Sequence, residues 1–144
     1  MSKKKIIVNI VAVVAVICAI VLLSSSVFAK GDTRNYKRII GDSTIFSESE
    51  INSAMDVAVK HFKYHFDGCT LTEIAYDEEF SNKSADSRAE NYNADKAIVL
   101  TSSFNTDDFA GEGSFNPNST YTRWQWVLTK NGIGGWKLQT WGYG

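Results

Sequence analysis

Three consecutive lysines, Lys3 to Lys5, lead into an apolar run from Ile6 to Leu23 that is interrupted only by Asn9. A helix that is apolar all round cannot lie on the surface of an aqueous domain, where one face must stay polar. The run therefore has to leave the domain that follows it. A positive stretch, an apolar stretch and small residues before a cut are the parts of a secretory signal. Val27 and Ala29 stand at the −3 and −1 positions of a cut before Lys30, and both are small enough for narrow peptidase pockets. The run also lies near the lower length limit of a membrane-spanning helix, and Ser24 to Phe28 would add a turn. Lys30, Arg34, Lys37 and Arg38 rival the leading lysines in the charge test for orientation. Two fates stay open: cleavage between Ala29 and Lys30, or retention in the membrane through residues 6–23. In both, the rest of the chain is extracytoplasmic, either secreted or held outside the cell membrane. Cys18 follows Val16 and Ile17 and lacks the small preceding residue that lipid attachment requires.

With residues 1–29 set aside, about 115 residues remain, enough for one domain with one core. All sixteen acidic residues lie there, while the fifteen basic residues are reduced by the three leading lysines. The remainder carries about −4, which argues against nucleic acid as a partner. No basic patch with interleaved aromatics offsets that sign. Cys69 is the one cysteine past the leader, so an internal disulfide is excluded. A lone cysteine of this kind reads first as a small buried hydrophobe.

Residues 30–42 are polar and aperiodic and read as a tether, leaving a single domain over 43–144. Ser47 and Glu50 form an S-x-x-E capping box with Phe46 before it. Ile51, Met55, Ala58, Phe62 and Phe66 then recur at helical spacing, and Gly68 supplies a stop, which predicts a helix over about 48–67. Strands are expected over Cys69–Tyr76 and Ala97–Phe104, with a short helix around Ala85–Tyr92 between them. A Gly/Asn/Ser/Asp-rich loop at 105–120 follows. Residues 121–130 and 136–143 predict a hairpin across Asn131 to Gly135. With Lys130 facing Trp136, one face carries Trp124, Trp126, Leu128, Trp136 and Leu138 and should pack on the helix. The fold class is α+β: one long amphipathic helix on a curved antiparallel sheet of three to four strands, preceded by the export segment.

The stretch from Ser47 to Gly144 resembles a family of small exported proteins of Gram-positive bacteria, a domain of unknown function. The likeness rests on Phe66-Asp67-Gly68-Cys69-Thr70-Leu71, Tyr76-Asp77-Glu78, Ser103-Phe104 and Asn116-Pro117-Asn118-Ser119-Thr120-Tyr121. It continues in Trp124-Gln125-Trp126, Gly135-Trp136-Lys137 and the closing Trp141-Gly142-Tyr143-Gly144. The resemblance implies extracytoplasmic placement and a sheet curved around a helix, as in nuclear transport factor two-like or cystatin-like folds. It transfers no catalytic residue.

Five groups of residues are candidates for chemistry. His61 and His65 are four apart and flank the apolar stripe, a spacing that suits two imidazoles on one metal, but no third ligand is set by spacing. Adding Cys69 gives the parts of a Cys–His pair, for which Asp67, Asp77 or Glu73 would have to orient the base. The loop Asn105 to Glu112 carries oxygen ligands of the kind calcium prefers, yet Phe109 stands at the fifth position and the glycine comes one place late. Asp77, Glu78 and Glu79 offer adjacent carboxylates without a partner across a cleft. Arg123, Gln125, Gln139, Trp141 and Tyr143 are expected on the sheet face away from the core, where the two aromatics would anchor an interface. No cofactor is implied. The leading expectation is a non-catalytic binding module, engaging a protein through the Trp141 and Tyr143 face or a small ligand between helix and sheet. A hydrolase or metal-dependent enzyme using His61, His65 and Cys69 is the alternative, and the oligomeric state is left open.

Overall fold

The computed structural model describes residues 3–27, 29–110 and 114–143, with the side chains of 21–27 outside the description. The chain is α+β, with a long N-terminal helix and a five-stranded mixed sheet. Helix α1 runs Lys3–Val27. Its apolar side chains from Ile6 to Ile20 stand 42–66% exposed, and none belongs to the core. The domain that follows therefore has a complete core of its own. Among the described residues no helix is long and apolar enough to cross a membrane.

Helix α2, Glu48–His65, starts where its capping box places it. The Ser47 hydroxyl accepts from the Glu50 amide at 3.2 Å, and the Glu50 carboxylate accepts from the Ser47 amide at 3.1 Å. Two of the four free N–H groups at the helix start are thereby satisfied. Ile51, Ala54, Met55, Ala58 and Phe62 form the buried stripe. The helix ends because Gly68 turns at φ +69°. A Cβ there would also lie 2.5 Å from Asp107 Oδ1, so glycine is required on two counts.

The sheet order is β1-β2-β3-β4-β5, formed by Lys37–Ile40, Cys69–Tyr76, Lys96–Thr106, Thr120–Lys130 and Lys137–Gly142. Helix α2 covers one face through Leu71, Ile74, Ile98, Leu100, Phe104, Trp126 and Leu128. Two short helices, α3 (Glu78–Asn82) and α4 (Ala85–Asn91), pack toward β3. The Ser81 hydroxyl of α3 accepts from the Val99 amide at 3.0 Å, beyond the point where β2 leaves the edge of β3. Helix α3 itself was not expected from the sequence.

Two expectations need correction. The sheet is mixed and has five strands, because β1 pairs parallel with β2 in the register Lys37↔Glu73 to Ile40↔Tyr76. The stretch read as a tether over 30–42 is thus docked along its length. The Lys30 and Gly31 amides both donate to the Lys63 carbonyl, and Asp32 bridges Cys69 and Leu71. The Arg38 guanidinium clamps β1 onto α2 through Asp56 at 2.7 Å and Asn52 Oδ1 at 3.0 Å. The loop after β1 is held by Glu78, whose carboxylate accepts from Ser43 Oγ, Thr44 N and Thr44 Oγ1 at 2.7–2.8 Å. The segment looked like a tether because its apolar signal is only Ile39 and Ile40. Its order comes from partners far away in the chain.

Candidate functional site

The hairpin of β4 and β5 begins in the expected register, with Thr129↔Lys137 and Leu128↔Leu138. The pairing then slips by one, to Val127↔Thr140 and Trp126↔Trp141. Gln139 is the extra residue of this β-bulge, and its amide donates to Thr129 Oγ1 at 2.7 Å on the face away from α2. Since side chains alternate with period two, one added residue reverses the facing of everything beyond it. Trp141 and Tyr143 therefore lie on the α2 side of the sheet, which corrects their expected placement on the opposite face.

There they complete a shelf of rings. His65 stacks on His61 at 4.2 Å between centroids, and His61 meets the Trp141 indole at 4.0 Å. Beside them Tyr143 stacks on Tyr121 at 6.1 Å and meets Trp124 edge-on at 5.3 Å. Trp141 is 44% exposed and Tyr143 63%, whereas Trp124 and Tyr121 are half-buried beneath. A second bulge positions Tyr121. The β3–β4 register slips between Ser102 and Phe104, and Arg123 takes up the extra residue at φ +56°, in the left-handed region.

Two nitrogens under the shelf are buried and have no hydrogen-bond partner among the described residues, His61 Nε2 and Trp124 Nε1. The core tryptophans differ, since Trp126 donates to Ser102 Oγ at 2.8 Å and Trp136 to the Glu50 carbonyl at 3.0 Å. An orphaned buried polar group costs about 1–3 kcal/mol, which a single ring pair at about 0.5–1.5 kcal/mol does not reliably offset. Burial lowers the His61 pKa, with the charge of His65 a secondary cause, so the imidazole beneath Trp141 is neutral near pH 7.

The remaining candidates fall elsewhere. Arg123 and Gln125 do lie on the far face. The Arg123 guanidinium sits 5.7 Å over the Phe80 ring, and Gln125 lines a groove of about 90 Å³ with Arg88 and Thr140. Cys69 is 2% exposed, as a buried cysteine should be, and its thiol donates to the Asp67 carbonyl at 3.6 Å. Burial, with Asp107 and Asp67 adding, pushes that thiol up to about 11, which removes it as a nucleophile at neutral pH. His61 and His65 stack with ring planes only 23° apart, so their nitrogens do not converge on a common point. Among the described residues no group of three or more His, Cys, Asp or Glu side chains could hold a metal ion.

The acidic run has structural tasks. Asp77 caps α3 by accepting from Phe80 N at 2.7 Å, Glu78 holds the loop after β1, and Glu79 faces Lys83 at 3.6 Å. In the calcium-like loop, Asp107 accepts from its own Phe109 amide and Asp108 from Asn118 Nδ2, so both carboxylates are occupied within the loop. Gly111 and Glu112 lie outside the described residues.

Sequence reasoning named His61, His65, Trp141 and Tyr143 but separated them into two sites. Tyr121 and Trp124 were not named as site residues, because Trp124 reads as core by its alternation with Trp126 and Leu128, and Tyr121 reaches that face only through the bulge at Arg123. The chain matches no protein-family model, no curated protein and no solved structure.

Proposed function

We propose that this is an exported or membrane-anchored extracytoplasmic protein, a non-catalytic binding module that holds its ligand on the aromatic shelf. The observation that carries this reading is the pair of exposed rings, Trp141 at 44% and Tyr143 at 63%, seated on His61, Tyr121 and Trp124. Stiff aromatic side chains on paired strands offer apolar area at little entropic cost. Such a surface suits a ligand with a flat, weakly polar face and hydroxyl or amide groups at its rim, and the sugar rings of cell-wall glycan have this chemistry. The export half of the reading rests on Lys3 to Lys5, the apolar run through Leu23 and the absence of α1 side chains from the core among the described residues. If uncleaved, residues 6–23 would hold the chain to the membrane. The resemblance to small exported proteins of Gram-positive bacteria agrees with this placement. A hydrolase or metal-dependent enzyme built on His61, His65 and Cys69 draws no support from the geometry.

The test is co-sedimentation of residues 30–144 with insoluble peptidoglycan sacculi. Trp141→Ala combined with Tyr143→Ala should reduce the bound fraction at least tenfold while leaving the far-ultraviolet circular dichroism spectrum unchanged. Arg123→Ala, on the opposite face, should bind like the parent. Equal sedimentation of parent and double variant rejects the shelf as the binding surface.

A further inference from the structure

The segment that follows the cleavage site is fastened to the end of a helix. The last carbonyls of α2 lack intrahelical partners, as at every helix C-terminus, and carry the negative end of the helix dipole. The Phe62 carbonyl takes the Phe66 amide, while the Lys63 carbonyl takes two amides from outside the helix, Lys30 at 2.8 Å and Gly31 at 3.0 Å. The approach is close. Gly31 is buried, and a Cβ on it would lie 2.6 Å from the Phe62 carbonyl oxygen. Asp32 continues the attachment by donating its amide to the Cys69 carbonyl and accepting from the Leu71 amide.

Hydrolysis of the Ala29–Lys30 bond adds water across it, leaving a carboxylate on Ala29 and an amine on Lys30 that is protonated at neutral pH. That amine is the atom already placed 2.8 Å from the Lys63 carbonyl. We infer that cleavage between Ala29 and Lys30 turns a structural amide into an ammonium that caps the C-terminus of α2, so that export processing strengthens the fold it releases. The inference rests on the export reading above and commits that reading to one of its two fates.

The charged neighbours do not cancel the effect. Lys63 points its ammonium over the Tyr64 ring at 5.5 Å. Asp32 is engaged by Arg34 in a two-point ion pair at 3.0 and 2.7 Å. Asp67 and Asp107 lie beside Cys69, and their sign does not oppose a cation at this end of α2. A charge-assisted bond at the negative end of a helix is stronger than the neutral amide bond it replaces.

Two forms isolate the charge from the hydrogen bond, one beginning at Lys30 and one beginning at Ala29. The second keeps the Lys30 amide on Lys63 but moves the ammonium one residue away. At pH 6 the Lys30 form should melt about 3 °C higher. A capping ammonium has its pKa raised above the ordinary α-amino value of about 7.7–8.0, so its stabilisation is complete below that value and is lost as pH rises through the raised one. By pH 10.5 the two forms should melt together. Equal melting at pH 6, or a difference that persists at pH 10.5, overturns the cap.

The full chain expressed in a Gram-positive secretion host supplies the second measurement. The released domain should have the mass of a chain beginning at Lys30. Export followed by cleavage elsewhere, or retention uncleaved in the membrane, overturns the processing site. A chain that stays in the cytoplasm instead overturns the export reading, while the melting comparison still decides the cap.

Discussion

His61 shows how one side chain connects core and surface. Its ring touches Phe66 and Trp126 edge-on, stacks on His65 and meets the Trp141 indole at a tilt of 48°. Burial holds it neutral, so the folded state binds fewer protons than the unfolded one near the ordinary histidine value of 6.5. The stability this confers is complete above 6.5 and is lost as pH falls through that value toward the lowered one. Melting temperature should therefore drop between about pH 7 and pH 5, and His61→Gln should flatten the drop. An identical slope in the variant would assign the pH dependence to another group. Cys69 was legible from sequence as a buried hydrophobe, because a lone cysteine on a strand has little else to do. The orphaned Trp124 nitrogen was not legible, since its environment depends on where β5 ends.

At the scale of elements, the local signals translated directly. The capping box of α2, its apolar stripe and the glycine stop all lie within a few residues of the structure they specify, and α2 runs close to its expected span. The hairpin register held as far as Leu128↔Leu138, where the glycine-rich turn and the alternation of apolar residues act together. Beyond that the Gln139 bulge decides the facing of Trp141 and Tyr143. Inserting one alanine after Gln139 should move Trp141 from opposite Trp126 to opposite Gln125, turn it to the far face and remove the His61–Trp141 contact. Near-ultraviolet circular dichroism and the His61 titration by NMR would report the change. Gln139→Ala is the control, because it keeps the bulge and removes only the bond to Thr129, at a cost of about 1 kcal/mol. If both variants keep the contact, the bulge is not what turns Trp141.

At the scale of the whole molecule, the attachment of residues 30–46 completes the domain. Strand β1 covers the β2 edge that would otherwise present unpaired N–H and C=O groups to other chains. Arg38 and Glu78 fasten the segment from both ends, through partners on α2 and at the start of α3. A chain beginning at Ser43, where composition alone would start the domain, should lose several kcal/mol against one beginning at Lys30 and should self-associate. Urea unfolding and sedimentation velocity measure the two effects. Equal midpoints would mean that β1 is an accessory strand.

The sequence by itself determined the α+β class, the span of α2, the strands β2 to β5 and the core face of the hairpin up to its bulge. Each of these is written in spacing along a short stretch of chain, where the 3.6 and 2.0 periods and the turn residues act without distant help. Only the tertiary structure decided that Lys37–Ile40 is a strand, that Glu78 is a latch and that His61, Trp141, Tyr143 and Trp124 share one surface. Those outcomes depend on partners 30 to 80 residues away in the chain and on a single inserted residue whose effect is to reverse a face. No local pattern encodes where such partners meet.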